Sequence, residues 1–298
     1  MDRLDELAVF VAVAEQGSFV GAARRLGRSP TAVTRAIALL ESRLATRLLT
    51  RTTRAMALTD AGQLYFEQGR RALGEFAELE NTVAQGAALP SGLLTITAPE
   101  MFGRMHVLPI VQAFMRQYQQ IEVSLLLNRV VSFVDEGIDL GFRIAHLTDS
   151  SLRASGIGQV TRVLCASPEY LAAKGTPARP DELKGHEIIG LTGGRPLPDR
   201  WRFGSGKDEV SVHIKPRLAV STVQAALDAA VAGGGIVNLL SYQTAPLEAA
   251  GLLRRVLAPY EPAGTPIHLV YPAGRHLPLK TRLFIDLATT TLRGQFVH

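Results

Sequence analysis

The chain has 298 residues, 47% of them hydrophobic, and a formal net charge of +5. That length predicts two or three compact units with sizeable cores, and the composition excludes a disordered chain. The single cysteine, Cys165, excludes an intrachain disulfide and a cysteine-cluster metal site. Its apolar neighbours Val163, Leu164 and Ala166 predict a buried strand with a packed, inert thiol.

Asp2, Asp5 and Glu6 precede the first apolar residues, unlike a secretory signal peptide. The most apolar stretch, 225–240, contains Asp228, three consecutive glycines and Asn238, which makes it a poor membrane span. The expectation is a soluble, cytoplasmic protein without a membrane partner. The charge is unevenly placed: between Arg24 and Arg54 there are eight arginines and one acid, Glu41. Such a block suggests a polyanionic partner, although a solvated basic face would give the same composition.

In chain order, Leu4, Leu7, Val11 and Ala14 recur at helical spacing up to Gly17, predicting a first helix that buries one side. Ser18 caps a short second helix with Ala22, Ala23 and Leu26 inward, ended by Gly27. Ser29 is an N-cap and Pro30 fits the first position of a third helix. There Val33, Ile37, Leu40 and Leu44 form one apolar stripe. Thr31, Thr34, Arg35 and Ala38 lie opposite, a small polar face with one long cation and no acid. Two helices joined at 27–29, the second with a bare polar N-terminal half, describe a helix-turn-helix, a spacing that many αα-hairpins share. Residues 45–59 alternate threonines and arginines with apolar residues and predict a two-stranded wing. Its tip lies near Arg51–Arg54, where cations can meet phosphates or the minor groove.

The run from Ser18 to Gly62 carries Ala22-Ala23, Leu26, Ala32-Val33, Arg35, Ile37, Leu40-Glu41, Leu44, Arg51-Thr52-Thr53-Arg54 and Leu58-Thr59-Asp60-Ala61-Gly62. With no gap in its spacing, it resembles the signature of the LysR-type transcriptional regulators. Ala45 stands where that family usually has glycine, and Leu49 where it usually has phenylalanine. The DNA-binding candidates are Ser29, Pro30, Thr31, Thr34, Arg35, Arg51 and Arg54, and the partner is double-stranded DNA.

Thr59 can cap a long helix from Asp60. Tyr65, Gly69, Ala72, Phe76, Leu79 and Val83 alternate at four and three residues, a coiled-coil-like seam. A helix packed on its own domain would show the same stripe. A helix standing between two domains favours a dimer seam, and the resemblance implies a linker helix that pairs subunits. The dimerisation candidates are Tyr65, Ala72, Phe76, Leu79 and Val83, in a homodimer or homotetramer; 86–92 reads as a hinge.

Beyond residue 92, apolar strands alternate with helices. Strands are predicted at 93–98, 123–127, 140–144, 160–166, 188–191, 210–214, 236–240 and 267–271. Helices are predicted at 104–119, 168–174, 223–232 and 280–292. The alternation indicates α/β subdomains with mainly parallel sheets. The resemblance implies two lobes like those of type 2 periplasmic binding proteins. Lobe I would be 92–161 plus 267–298 and lobe II 162–266, with crossing strands near 162–165 and 265–269. The fold class is therefore α/β overall: an α-rich winged helix-turn-helix (1–59), a linker helix (60–89) and a two-lobe α/β domain (90–298).

Ligands in such sheets collect beyond the C-terminal strand ends, between the lobes. Thr97, Glu100, Met101 and Phe102 follow the first strand at a helix start, where free N–H groups favour an anion. Asn128, Arg143, Ser221 and Thr222 complete the effector candidates, for a small polar organic molecule of preferably anionic character. Each of these taken alone reads more readily as a structural residue, any one hydroxyl as a cap of its own helix, and the charge of Glu100 would repel an anion unless it points away.

An enzyme on the α/β part is the rival reading. The sequence has no HExxH and no GxSxG. Gly204-Ser205-Gly206-Lys207 resembles a P-loop ending, but Trp201 holds the first glycine position and Asp208 replaces Ser/Thr, so it reads as a turn. Gly233-Gly234-Gly235 ends a helix and suits a C-cap. The histidines lack metal-ligand spacing, and neither metal nor cofactor is expected. A solute receptor for transport is disfavoured by the basic N-terminal module. The reading is a sequence-specific DNA-binding transcription regulator modulated by a small effector.

Overall fold

The computed structural model describes residues 2–51, 56–85, 89–127, 137–147, 152–192, 200–204, 206, 209–273 and 277–296. Three helices open the chain: α1 (Arg3–Gln16), α2 (Phe19–Leu26) and α3 (Pro30–Leu44). Gly17 and Gly27 end α1 and α2 in the left-handed region, where a missing Cβ removes the steric cost. The Oγ atoms of Ser18 and Ser29 accept from the N–H groups of Gly21 and Ala32.

Helix α1 corrects the one-sided expectation. Val9, Phe10, Val11, Ala12 and Val13 are all buried, whereas Leu4, Leu7 and Ala14 are only half-buried. The helix packs against α2, α3 and the linker helix α4 (Asp60–Gln85), so more than one of its sides is enclosed.

The wing is an antiparallel pair, β1 (Leu49–Arg51) and β2 (Met56–Leu58). Its base is fixed by Glu41, whose Oε1 accepts from Leu48 N at 2.7 Å and Leu49 N at 3.0 Å. Thr59 Oγ1 accepts from Gly62 N at 2.9 Å and so caps α4.

Helix α4 splits the expected seam. Tyr65 meets the ring of Phe10 edge-on at 5.4 Å, and a Cβ on Gly69 would fall 2.4 Å from Leu7 Cδ1. These two belong to the N-terminal core. Phe76 and Leu79 remain 42% and 59% exposed, and Ala72 is exposed beside them. The side chain of Val83 lies outside the described residues.

Lobe I holds β3 (Gly92–Ala98), α5 (Glu100–Phe102), a π turn (Gly103–Val107), α6 (Leu108–Gln117), β4 (Ile121–Leu127), β5 (Leu140–Ile144), β6 (Leu152–Val160) and, after the second lobe, β14 (Thr265–Pro272) and α10 (Leu279–Phe296). Lobe II holds β7 (Arg162–Ala166), α7 (Pro168–Lys174), β8 (Ile188–Leu191), the hairpin β9 (Arg200–Phe203) and β10 (Val210–His213), β11 (Leu218–Val220), α8 (Val223–Val231), β12 (Ile236–Leu240), α9 (Ser241–Ala249) and β13 (Arg254–Val256).

Two five-stranded sheets result, ordered β4-β3-β5-β14-β6 and β11-β8-β12-β7-β13. Both are mixed, correcting the mainly parallel expectation: three strands pair in parallel and the last two join antiparallel. The segments expected to cross between lobes are ladder strands instead. β7 pairs from Arg162 onward with lobe II, and β14 from Thr265 onward with lobe I. The chain crosses at Thr161 and again at 261–264. The helix expected from 104 begins at Glu100 and passes through the π turn.

A buried cluster runs unbroken from lobe I into lobe II, from Leu94, Phe102 and Phe142 to Val163, Ile189 and Tyr242. Cys165 is buried in it, and burial pushes its thiol up to about 12, which makes it inert near neutral pH. Among the described residues no helix is long and apolar enough to cross a membrane.

Candidate nucleic-acid interface and effector cleft

On α3 the apolar stripe is inward: Val33, Ile37 and Leu40 are buried and Leu44 half-buried. Ser29, Pro30, Thr31, Thr34, Arg35 and Ala38 are all exposed. Thr34 Oγ1 donates to Pro30 O at 2.9 Å, which leaves its oxygen lone pairs and methyl group outward. Arg51 is the last residue of β1; its side chain and all of Arg54 lie outside the described residues.

The arginine block is sorted by its neighbours. Arg28 and Arg43 pair with Asp5 and Glu6 of α1, and Arg25 pairs with Glu15. The guanidinium of Arg28 holds the Asp5 carboxyl below its usual value by direct hydrogen bonding. Arg24, Arg35 and Arg47 are exposed and make no ion pair among the described residues. The acids of α1 therefore neutralise Arg25, Arg28 and Arg43, and leave Arg24, Arg35 and Arg47 exposed without an ion pair among the described residues.

The described effector candidates stand in different surroundings. Thr97 is fully buried within β3, between Leu126 and Gly141. Met101 and Phe102 are buried in the core, Phe102 against Phe142 at 5.7 Å and Tyr242 at 5.6 Å. Glu100 and Ser221 are exposed. Thr222 Oγ1 accepts from Ala225 N at 3.3 Å as an ordinary helix cap. Arg143 donates from Nη1 to Phe142 O at 3.1 Å, and burial lowers its pKa. Asn128 lies outside the described residues.

A cavity of about 530 Å³ opens instead between the lobes. Lobe I contributes His146 and Thr265, and lobe II contributes Arg162, Arg200, Trp201, Arg202 and Asn238. No acid lines it. Arg162, at the crossing, has no carboxylate partner among the described residues, and burial lowers its pKa. Asn238 Oδ1 is buried without a hydrogen-bond partner among the described residues. The Arg162 guanidinium, with no carboxylate partner among the described residues, matches an anion in this cleft. The signal available in the sequence was Arg162 itself, a cation inside the apolar run 160–166.

Comparison with known proteins agrees with this geometry. Residues 4–63 match the family described as bacterial regulatory helix-turn-helix protein, lysR family. Residues 87–293 match the LysR substrate binding domain. The chain is 35% identical over 294 residues to an HTH-type transcriptional regulator of Xanthomonas campestris pv. campestris, covering 97% of this chain and 85% of that protein. It is 36% identical over 285 residues to the HTH-type transcriptional regulator PtxR of Pseudomonas aeruginosa, covering 95% and 91%. Among solved structures, CrgA of Neisseria meningitidis, a LysR-type transcriptional regulator, aligns with a TM-score of 0.62 at 31% identity, over 97% of this chain and 98% of that one. The chain belongs to the LysR family, and it is a sequence-specific DNA-binding transcription regulator whose activity a small-molecule effector modulates.

Proposed function

We propose that α3 lies in the DNA major groove, with Thr31, Thr34 and Arg35 toward base edges and Ser29 and Pro30 close to the backbone. The wing cations Arg51 and Arg54 would meet phosphates or the minor groove. The observation that carries this is the acid-free exposed face of α3, which bears Arg35 without an ion pair among the described residues while the acids of α1 neutralise Arg25, Arg28 and Arg43.

The effector is a small organic anion seated in the inter-lobe cleft, with Arg162 as its main polar contact. Thr97, Met101, Phe102, Arg143, Ser221 and Thr222 are not among the residues lining this cavity. Ligand binding must favour one lobe angle to shift anything. The domain limits are 1–59, 60–89 and 90–298, the compartment is cytoplasmic, and no catalytic step is assigned.

The protein acts as a homodimer, or a pair of dimers, through the free part of the α4 seam. Ala72, Phe76 and Leu79 supply an exposed apolar strip. Sedimentation of Phe76→Asp tests this, and an unchanged oligomer would remove α4 as the main contact.

The deciding experiment measures DNA binding by the full-length protein at two salt concentrations, with and without a panel of small carboxylates. Affinity should fall steeply with salt and respond to at least one carboxylate. Salt-independent binding, or a response only to uncharged molecules, overturns the reading.

A further inference from the structure

The exposed face of α3 carries Thr31, Thr34, Arg35 and Ala38. These side chains differ in what they have left to offer a base edge. Arg35 makes no ion pair or hydrogen bond with its guanidinium among the described residues, so its donors are all available. Thr31 Oγ1 is likewise unbonded among them and keeps its proton.

Thr34 stands apart. Its Oγ1 donates to Pro30 O at 2.9 Å, inside the same helix. A hydroxyl has one proton, so a threonine bonded in this way is no donor to a base. The acceptor atoms that guanine, adenine and thymine show in the major groove are therefore closed to it. The bond also selects one of the two rotamers open to a helical threonine, and with it one position for the methyl group. What Thr34 presents outward is that methyl and the oxygen lone pairs.

Ala38 lies four residues further on, the spacing that lines side chains up on one helix face, and it is exposed as well. It offers a methyl and nothing else. The pair forms a small apolar patch beside Arg35. The fold does not use this patch, because α3 joins the N-terminal core through Val33, Ala36, Ile37 and Leu40.

The major groove shows one apolar group, the 5-methyl of thymine. The lone pairs of Thr34 could instead accept from the amino group of cytosine or adenine. Ala38 would add nothing to that contact, whereas it extends an apolar one. The patch as a whole therefore matches the methyl.

We propose that Thr34 reads thymine through its methyl group rather than its hydroxyl, with Ala38 completing the contact. The DNA half-site then presents a thymine 5-methyl to this pair, next to the base edge that Arg35 meets. The inference rests on α3 being the reading face and names what one part of that face reads.

The test uses the full-length protein and a duplex that it selects from a random-sequence pool, remade with uracil for thymine at one position at a time. Uracil pairs as thymine does and lacks only the 5-methyl. At one position or more the exchange should weaken binding about threefold to fivefold, the worth of one methyl taken out of water. Thr34→Val keeps the methyl and drops the hydroxyl, and should preserve this thymine-to-uracil ratio. Thr34→Ser keeps the hydroxyl and drops the methyl, and should abolish the ratio at the same position. The proposal is overturned if no thymine responds in the unmodified protein, or if Thr34→Ser keeps the full ratio. Loss of the ratio in Thr34→Val would make the hydroxyl the reader and overturn it too. Arg35→Ala tells this failure from that of the reading face. If it loosens sequence preference while Thr34→Ser changes nothing, only the methyl contact falls; if neither variant changes preference, α3 is not the reading face and both readings fall.

Discussion

Arg71, on the linker helix, holds its Nη2 3.2 Å from Oδ1 of Asp139, a residue of lobe I that is only 7% exposed. The other carboxylate oxygen accepts from Thr95 N at 2.7 Å, so Asp139 ties α4 to the first strand of the lobe. One residue earlier, Arg70 pairs with Glu15 of α1 and with Glu122 of β4. The DNA-binding domain and lobe I therefore meet through two adjacent arginines. Asp139→Ala leaves a buried N–H and a guanidinium without this acceptor and should destabilise the chain by about 2–4 kcal/mol. Thermal unfolding measures the loss, and Arg70→Ala, at a more exposed pair, should cost less than about 1 kcal/mol.

Two backbone positions near the wing should respond in opposite directions. Ala45 ends α3 at φ 49°, in the left-handed region, where a Cβ is strained. Ala45→Gly should stabilise the N-terminal domain by about 0.5–1 kcal/mol, the steric relief exceeding the entropy lost. Gly62, by contrast, packs so closely that a Cβ would lie 1.9 Å from Leu48 O. Both partners are backbone, so Gly62→Ala should cost about 3 kcal/mol or more. DNA binding should fail in that variant, while unfolding of the two-lobe domain stays in place.

Arg35 and the wing arginines should separate base reading from phosphate contact. Arg35→Ala should cost about 1–3 kcal/mol of binding and loosen sequence preference. Arg51→Ala or Arg54→Ala should weaken all sequences alike and flatten the salt slope. Titration of specific and scrambled duplexes distinguishes them. If Arg35→Ala keeps both affinity and preference, the outer face of α3 is not the reading face.

In the cleft, Arg162→Ala should lower affinity about tenfold or more for whichever carboxylate of the panel stabilises the protein, because a charge-assisted bond is lost. DNA binding without effector should be nearly unchanged. Thr97→Val should act mainly on stability, since Thr97 is fully enclosed. Calorimetry and unfolding on the same three proteins check both statements, and unchanged affinity in Arg162→Ala places the anion elsewhere.

Acidification should weaken the fold through two histidines. Burial lowers the pKa of His106 and of His186 below the usual imidazole value near 6.5. The unfolded chain therefore takes up these protons before the folded one as the pH falls. Their contribution is complete above about pH 6.5 and is lost as the pH drops toward the folded values. The melting temperature should decline across that window, and His186→Gln should flatten part of the slope. An unchanged slope in both His186→Gln and His106→Phe would mean that other groups carry it.

The N-terminal domain was legible from sequence because its signals are local. Caps at Ser18, Ser29 and Thr59, glycine stops and the α3 stripe act within a few residues, and the structure keeps them. Central strands of the lobes, such as 140–144, 188–191 and 236–240, were legible for a related reason: enclosed on both sides, they read as apolar runs. The strands missed, β6, β11 and β13, are all sheet edges, and β9 belongs to a separate hairpin. An edge strand needs few apolar residues, so Leu152–Val160 hides its pairing behind glycines and polar side chains. Only the tertiary structure decided the rest. Strand order brought Arg162, Asn238 and His146 to one cleft and drew Met101 and Phe102 into the core. It also assigned Tyr65 and Gly69 to α1 rather than to a seam. Each outcome depends on which distant surface meets a given side chain, and periodicity along one segment carries no information about the partner.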